Sequence, residues 1–375
     1  MPWKECSAMS LRREFVTFAL LHDRTFQALC DSYGISTKTG YKWLARYHEQ
    51  GEAGLEDLSR RPHCSPNRSP AALEEAILAL RDQHPAWGGR KLRQLLLNQG
   101  WPQVPVASTI TEILRRHGRL DPDESAKRQA WQRFEHDAPN CLWQMDFKGD
   151  FPVEAGGRCY PLTVLDDHSR FSLCLQACAN QKAETVQPTL GEVFRRYGLP
   201  EVMLMDNGPP WGHEGPFYTR FAAWLIRLGI TVSHSRPYHP QTLGKDERFH
   251  RTLKDEVLIR QSFRDLDHCQ RRFDSWRDLY NLVRPHESLK MQTPATRYRS
   301  SSRSFPEQLG PIDYGPGAVV RKVQHNGEIS YRNRYFMVGR AFHGYPVALR
   351  YTDDDGVMDI YFCHQRITQL DLRTP

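Results

Sequence analysis

The chain has no Cys-x-x-Cys pair, and its nine cysteines (Cys6, Cys30, Cys64, Cys141, Cys159, Cys174, Cys178, Cys269 and Cys363) are scattered and odd in number. That excludes a disulfide framework and a cysteine-rich zinc site, and leaves reduced, mostly buried thiols in a cytosolic protein. The start, "MPWKECSAMSLRREF", lacks an apolar signal core, and no membrane-length apolar run follows, so no membrane role is expected. Internal repeats and long low-complexity segments are also missing. What remains is a chain of 375 residues with ordinary globular composition and ample aromatics, long enough for two to four domains.

Charge is unevenly spread. The net charge is +7 and the pI about 8.9, so a polyanionic partner is admissible. Residues 136–235 hold 8 basic and 11 acidic side chains, whereas residues 236–303 hold 15 and 9. A slightly acidic segment followed by a basic one suits a metal site beside a nucleic-acid track. Two solvated surfaces would look the same.

The first part of the chain reads as helical. "FQALCDSYGISTKTGYKWLARY" (Phe26–Tyr47) reads as helix, tight turn at Gly34, helix, with Ser36 a candidate N-cap. Lys38, Lys42 and Arg46 recur every four residues as a basic stripe, while Trp43 and Tyr47 form an apolar one. DNA binding is the favoured reading, against an amphipathic hairpin with a basic outer face. "SRRPHCSPNRSP" reads as a linker whose Arg60, Arg61 and Arg68 touch phosphates or are merely solvated. A second three-helix unit is expected over 70–120. Its last helix ends in Arg115, Arg116 and His117, ordinary complements of a helix C-terminus. The domain limits drawn from this are 1–58, a linker 59–69, 70–120, a connector 121–138, then 139–303 and 304–375.

After the connector the pattern changes to strand, hairpin, helix, strand, helix, strand, helix, a mixed α/β domain. The tail holds Asn326-Gly327 and Asp355-Gly356, each between alternating runs, and reads as hairpins in a small antiparallel barrel. The fold class is therefore multidomain: all-α helix-turn-helix units, an α/β core and a small β-barrel.

Two aspartates stand out by position. Asp146 lies inside the apolar-aromatic strand "LWQMDF", and Asp206 follows the buried run "VMLM". A carboxylate in an apolar strand is costly unless paired or metal-bound, and one at a strand's C-terminal end points into the crevice where such sheets bind ligands. Glu247 is the third candidate. On its helix, Glu247, Arg251 and Lys254 share one stripe and Phe249, Leu253 and Val257 another, so Glu247 can face the crevice while the helix packs. A plain Glu–Arg pair at i,i+4 remains an alternative. Asp246 and Glu256 are weaker candidates. Three carboxylates converging from two strands and a helix would hold two hard cations through oxygen and activate phosphodiester chemistry.

Asp146, "DNGPP" at Asp206–Pro210, "HSRPYHPQTLGKDERFHRTL" at His234–Leu253 and "YNLVRPHESL" at Tyr280–Leu289 together resemble the DDE transposases of bacterial insertion sequences, relatives of retroviral integrases. The resemblance covers about 10–300. It implies a ribonuclease-H-like catalytic core with Asp146, Asp206 and Glu247 as catalytic triad and metal ligands, and two Mg²⁺ ions with Mn²⁺ as substitute. It further implies recognition of terminal inverted repeats by the N-terminal units, strand cleavage and strand transfer, and a homodimer or higher homo-oligomer on DNA in the bacterial cytoplasm. The tail is similar to the small barrel that follows the catalytic domain in many relatives.

The chain departs from the family in two places. Asp206 and Glu247 are 41 positions apart, longer than the family's usual spacing, and "PPWGHEGPFYTR" is the stretch that accommodates it. His22, Cys30, His48, His63 and Cys64 lack the ligand spacing of an integrase zinc module. Around the triad, Lys245, Arg251 and Lys254 are expected to hold DNA. His239 and Gln241 either touch DNA near the scissile bond or shape a loop. Asp246 reads as a neighbour without a catalytic role, Asp166 and Asp167 as turn residues, and Arg284 as packing with a phosphate contact open to it. A catalytically inactive DNA-binding regulator and a nuclease that cleaves without joining are the alternatives.

Overall fold

The computed structural model describes residues 8–58, 68–120, 136–208, 210–212, 218–234 and 244–373. The chain divides into two compact units, Met1–Arg68 and Ser69–Pro375.

The described residues of the first unit form the α-helices α1 (Ala8–Leu21), α2 (Phe26–Ser32) and α3 (Thr37–Gln50), followed by a short 3-10 turn, Gly51–Leu55. Phe15, Val16, Leu29, Cys30, Trp43 and Leu55 form its core. Ser36 caps α3 by accepting from the Thr39 amide at 3.2 Å. Gly34 turns the chain at φ +63°, a conformation that favours glycine. Gly40 lets α3 press on its neighbours, since a Cβ there would lie 2.7 Å from Cys30 Sγ and 2.9 Å from Phe15 Cζ.

The second unit begins with α4 (Ala71–Gln83), α5 (Gly89–Asn98) and α6 (Ala107–Arg116). Leu73, Ile77, Leu92, Leu96, Ile110 and Leu114 bury the periodic faces of these helices around Trp87.

The α/β part contains β1 (Leu142–Phe147), β2 (Phe151–Pro152), β3 (Arg158–Asp166), β4 (Ser172–Cys178), α7 (Ala183–Tyr197), β5 (Val202–Met205), α8 (Arg220–Arg227), β6 (Thr231–His234), α9 (Gly244–Leu253) and α10 (Leu266–Asp278). Across the sheet the order is β4-β3-β1-β5-β6, with β2 on the outer part of β3. β3 pairs antiparallel with both β4 and β1, while β1, β5 and β6 run parallel to one another. Strand alternation sorts the side chains. Trp143, Met145, Phe147, Met203 and Met205 join α7 and α8 in one core, whereas Leu165 and Leu175 join Phe249, Leu253, Cys269 and Phe273 on the α9–α10 face. Gln144 and Asp146, on the other parity of β1, therefore face α9.

The tail is two antiparallel sheets. One holds β7 (Val319–Lys322), β10 (Pro346–Tyr351), β11 (Val357–Phe362) and β12 (Gln365–Asp371) in the order β12-β11-β10-β7; the other is β8 (Glu328–Tyr331) with β9 (Arg334–Met337). Neither sheet closes, so the barrel is not formed by strand pairing. Asp355-Gly356 does join a paired hairpin, β10–β11. Asn326-Gly327 instead turns a corner, because β7 pairs with β10 and β8 with β9. The tight two-residue hairpin lies at Arg332-Asn333, both at positive φ (51° and 60°). Gln365 docks the tail on the edge strand of the core by accepting from Val232 N at 2.8 Å and donating to Val232 O at 2.9 Å.

Candidate active site

Strand register brings the two aspartates together. β1 and β5 are parallel with Gln144 opposite Leu204, so two residues further on Asp146 and Asp206 leave adjacent strands on the same face. Asp146 accepts from the Phe147 amide at 2.7 Å. Asp206 accepts from the Gly208 amide at 2.9 Å and from the Trp211 indole N–H through the same oxygen. Glu247 is exposed in the first turn of α9. Asp146 feels both of the other carboxylates. Burial first, then the charge of Asp206, and less strongly that of Glu247, push the Asp146 carboxyl up to about 7, against the relief of the Phe147 amide and Lys148. Crowded carboxylates of this kind accept a divalent cation, which cancels the repulsion that burial magnifies. The donor set is all oxygen, which fits Mg²⁺ or Mn²⁺.

The rest of α9 separates by exposure. Arg251 and Lys254 are exposed on the side of Glu247, and Phe249, Leu253 and Val257 are buried. Lys245 differs from those two cations. Its ammonium lies 2.5 Å from Asp167 Oδ2 and is largely shielded from solvent. Asp167 also accepts from Gln144 Nε2 at 2.9 Å and from the His136 amide at 3.0 Å, so it anchors the start of α9 as well as ending a turn. Asp166 accepts from the amides of Asn140 and Ser169, as a turn residue does.

Other sequence candidates fall elsewhere. Lys38 and Lys42 are exposed on α3, Lys42 lying 4.6 Å from the Trp43 ring. Arg46 is half-buried, donating to the Glu56 carbonyl at 2.9 Å. Arg284 is internal and pairs with Glu256 at 2.9 Å. Arg60, Arg61, His239 and Gln241 lie outside the described residues.

Sequence reasoning missed what lies beside Asp146. Asp246 is fully buried, and burial holds its carboxyl well above the usual range. It contacts Thr163 and His250, and ligand atoms of Asp146, Asp246 and His250 lie within 4.8 Å of one another. His250 is pushed down to about 3, by burial and then by Lys148. The available signal was the i,i+4 spacing of Asp246 and His250, together with a lone Thr163 in an apolar strand.

Comparisons with known proteins give consistent matches along the chain. Two models described as integrase core domain match residues 136–240 and 228–294. A helix-turn-helix domain matches 11–63, a homeodomain-like domain 39–114, and the C-terminal domain of IS481 family transposases 318–375. An uncharacterized 39.2 kDa protein of insertion element IS476 from Xanthomonas euvesicatoria is 28% identical over 271 residues, 71% of this chain and 75% of that protein. An uncharacterized 31.7 kDa protein of insertion element IS407 from Burkholderia multivorans is 27% identical, over 44% of this chain and 58% of that one. Among solved structures, a chain of the simian T-cell lymphotropic virus intasome is matched over 74% of this chain and 98% of its own length, at 14% identity and a TM-score of 0.36.

Proposed function

We propose that this chain, which belongs to the DDE-type insertion-sequence transposases, uses Asp146, Asp206 and Glu247 to cut DNA at the ends of its element and join the freed ends to target DNA. The observation that supports this reading is the parallel register of β1 and β5, which sends Asp146 and Asp206 off adjacent strands on the face that α9 covers, with Glu247 in the first turn of that helix; the Asp146 carboxyl, raised first by burial and then by Asp206, agrees with it. Two divalent cations, bound there, would stabilise the attacking and leaving oxygens of an in-line displacement. The chain supplies the rest. Asp146 and Asp206 offer oxygens fixed by amide and indole hydrogen bonds, and Glu247 offers a third from a different element. Arg251 and Lys254, exposed on the same helix stripe, hold phosphates along the path to the site. Lys245 adds positive potential from its place on Asp167. Lys38, Lys42 and Arg46, with Arg60 and Arg61, bind the inverted repeats, and His239 and Gln241 sit near the scissile phosphate.

The domain limits 1–58, 70–120, 139–303 and 304–375 belong to the same reading, with the two tail sheets acting together as a small barrel. The working form is a homodimer or higher homo-oligomer on DNA in the bacterial cytoplasm. No helix among the described residues is long and apolar enough to cross a membrane.

The test is an assay with DNA carrying the element's ends and Mg²⁺ or Mn²⁺. Asp146→Asn, Asp206→Asn and Glu247→Gln should each abolish nicking and joining while DNA binding persists. A variant that keeps near-normal joining removes that residue from the triad. Nicking without joining by the unaltered protein supports a simple nuclease, and binding without either supports an inactive regulator.

A further inference from the structure

Beneath the proposed triad, three polar side chains meet between β3 and α9. Thr163 on β3 is the ladder partner of Asp146. Its hydroxyl lies 2.9 Å from the Asp146 carbonyl oxygen, 2.8 Å from His250 Nε2 and 3.3 Å from each Asp246 carboxylate oxygen. His250 Nε2 is in turn 3.3 Å from Asp246 Oδ2, and its Nδ1 is 3.9 Å from Asp146 Oδ2. Asp246 and Thr163 are both 0% exposed. The Asp246 amide donates to Gln144 Oε1 at 3.3 Å, tying the same helical turn to β1.

Burying a carboxylate, an imidazole and a hydroxyl here is costly unless each is satisfied by the others. An apolar trio would pack β3 against α9 at lower cost. What the polar trio adds is direction: the Thr163 hydroxyl ties β3, and through the Asp146 carbonyl also β1, to Asp246 and His250 on the helix that carries Glu247. Glu247 itself is exposed and takes its place from the backbone of α9. Ligands of a metal site must be held to within about half an ångström.

We propose that Thr163, Asp246 and His250 form a buried polar strut that positions Glu247 against Asp146 and so sets the affinity of the site for divalent cations. This rests on the triad reading above. These are positioning residues: Asp246 works through its helix, not as a fourth ligand.

The test reads metal binding without turnover. Mn²⁺ affinity of the full-length, DNA-free protein is measured by electron paramagnetic resonance, alongside thermal unfolding with and without the ion. Thr163→Val keeps the shape and removes the hydroxyl, Thr163→Ser restores it, and Asp246→Asn keeps the volume but changes the hydrogen bonding. Thr163→Val and Asp246→Asn should each weaken Mn²⁺ binding roughly tenfold or more, and Thr163→Ser should stay within about twofold. If Thr163→Val and Asp246→Asn lower the unfolding temperature yet bind Mn²⁺ as the unaltered protein does, the trio is only packing and the proposal is overturned. If Thr163→Ser loses as much affinity as Thr163→Val, the hydroxyl is not the joint and the proposal also fails. Asp206→Asn and Glu247→Gln, run in parallel, separate this from the triad reading. Unchanged Mn²⁺ binding in both removes the triad, and the strut with it, whatever the Thr163 variants do.

Discussion

At Asp146 the sign of the pH dependence can be worked out. Its carboxyl stands near 7 in the folded chain, above the ordinary value of 3.8, with burial the largest cause. A group raised on folding contributes stability that is fully present below the unfolded pKa and lost as pH rises through the folded one. The metal-free protein therefore loses this contribution between about pH 4 and pH 7. His250, held down to about 3 by burial, acts in the opposite direction, since stability falls as pH drops below its ordinary 6.5. Comparing Asp146→Asn with the unaltered chain removes that background to first order. Without metal, Asp146→Asn should be nearly neutral at pH 4, and at pH 8 more stable by roughly 2–4 kcal/mol. Adding Mg²⁺ at pH 8 should raise the unfolding temperature of the unaltered chain and leave the variant's almost unmoved. A constant difference from pH 4 to pH 8 would show that Asp146 does not titrate in this range.

At the scale of elements, α9 does two jobs with opposite ends. Its first turn carries Glu247, the third carboxylate of the proposed site. Beyond Leu253 it widens into a π-helical turn, Lys254–Leu258, that directs Glu256 inward. Glu256 is held there by Arg284 at 2.9 Å and by the indole N–H groups of Trp276 at 2.9 Å and Trp87 at 3.1 Å. Trp87 belongs to the α4–α6 bundle and stacks on His84 at 4.0 Å. An exposed ion pair, Arg90 with Glu287, also joins the bundle to the core. The carboxylate that carries Glu247's helix onward thus also clamps the second helical unit to the core. Removing one member of a buried pair strands the other, so Glu256→Ala should cost about 3–5 kcal/mol. Trp87→Phe keeps the packing and loses one N–H donor to a charged acceptor, about 1.5–3 kcal/mol. Urea unfolding measures both, and hydrogen exchange in α4–α6 should quicken in each. Because the two residues share one contact, the double variant should cost less than the sum of the singles; strict additivity would argue that no such clamp exists.

At the scale of the whole molecule, the proposed function assigns recognition of the inverted repeats and the chemistry to separately built parts. The first unit has its own core and its own helix-turn-helix, with Lys38 and Lys42 exposed on α3. Neutralising phosphate contacts changes both affinity and its salt dependence. Lys38→Ala with Lys42→Ala should weaken binding to the inverted repeat and lower the magnitude of the log–log salt slope by about 2. Metal-dependent nicking of non-specific DNA should be spared, because the carboxylate site lies in the other unit. Fluorescence anisotropy across a salt series checks the first part and a plasmid nicking assay the second. Specific binding with an unchanged slope would move recognition away from α3.

Short-range pattern carried much of this. Periodicity alone separated Glu247, Arg251 and Lys254 from Phe249, Leu253 and Val257, and the structure has the first three exposed and the others buried. The strand–hairpin–helix order of the α/β part was legible for the same reason: burial on one face of a helix or strand writes a period of 3.6 or 2 into neighbouring residues. The anomaly of a carboxylate in "LWQMDF" was visible too, because an apolar run makes a polar member conspicuous. Tertiary structure alone decided which of two adjacent carboxylates turned inward, that Lys245 would meet Asp167, that Arg284 would be sequestered by Glu256, and that Asn326-Gly327 would turn a corner between sheets. Asp246 and Thr163 are 83 residues apart, and Trp87 and Glu256 are 169 apart. A polar side chain's partner is chosen through space, by which strand register and which helix face happen to abut. No local period encodes that choice, so it appears only when the chain is folded.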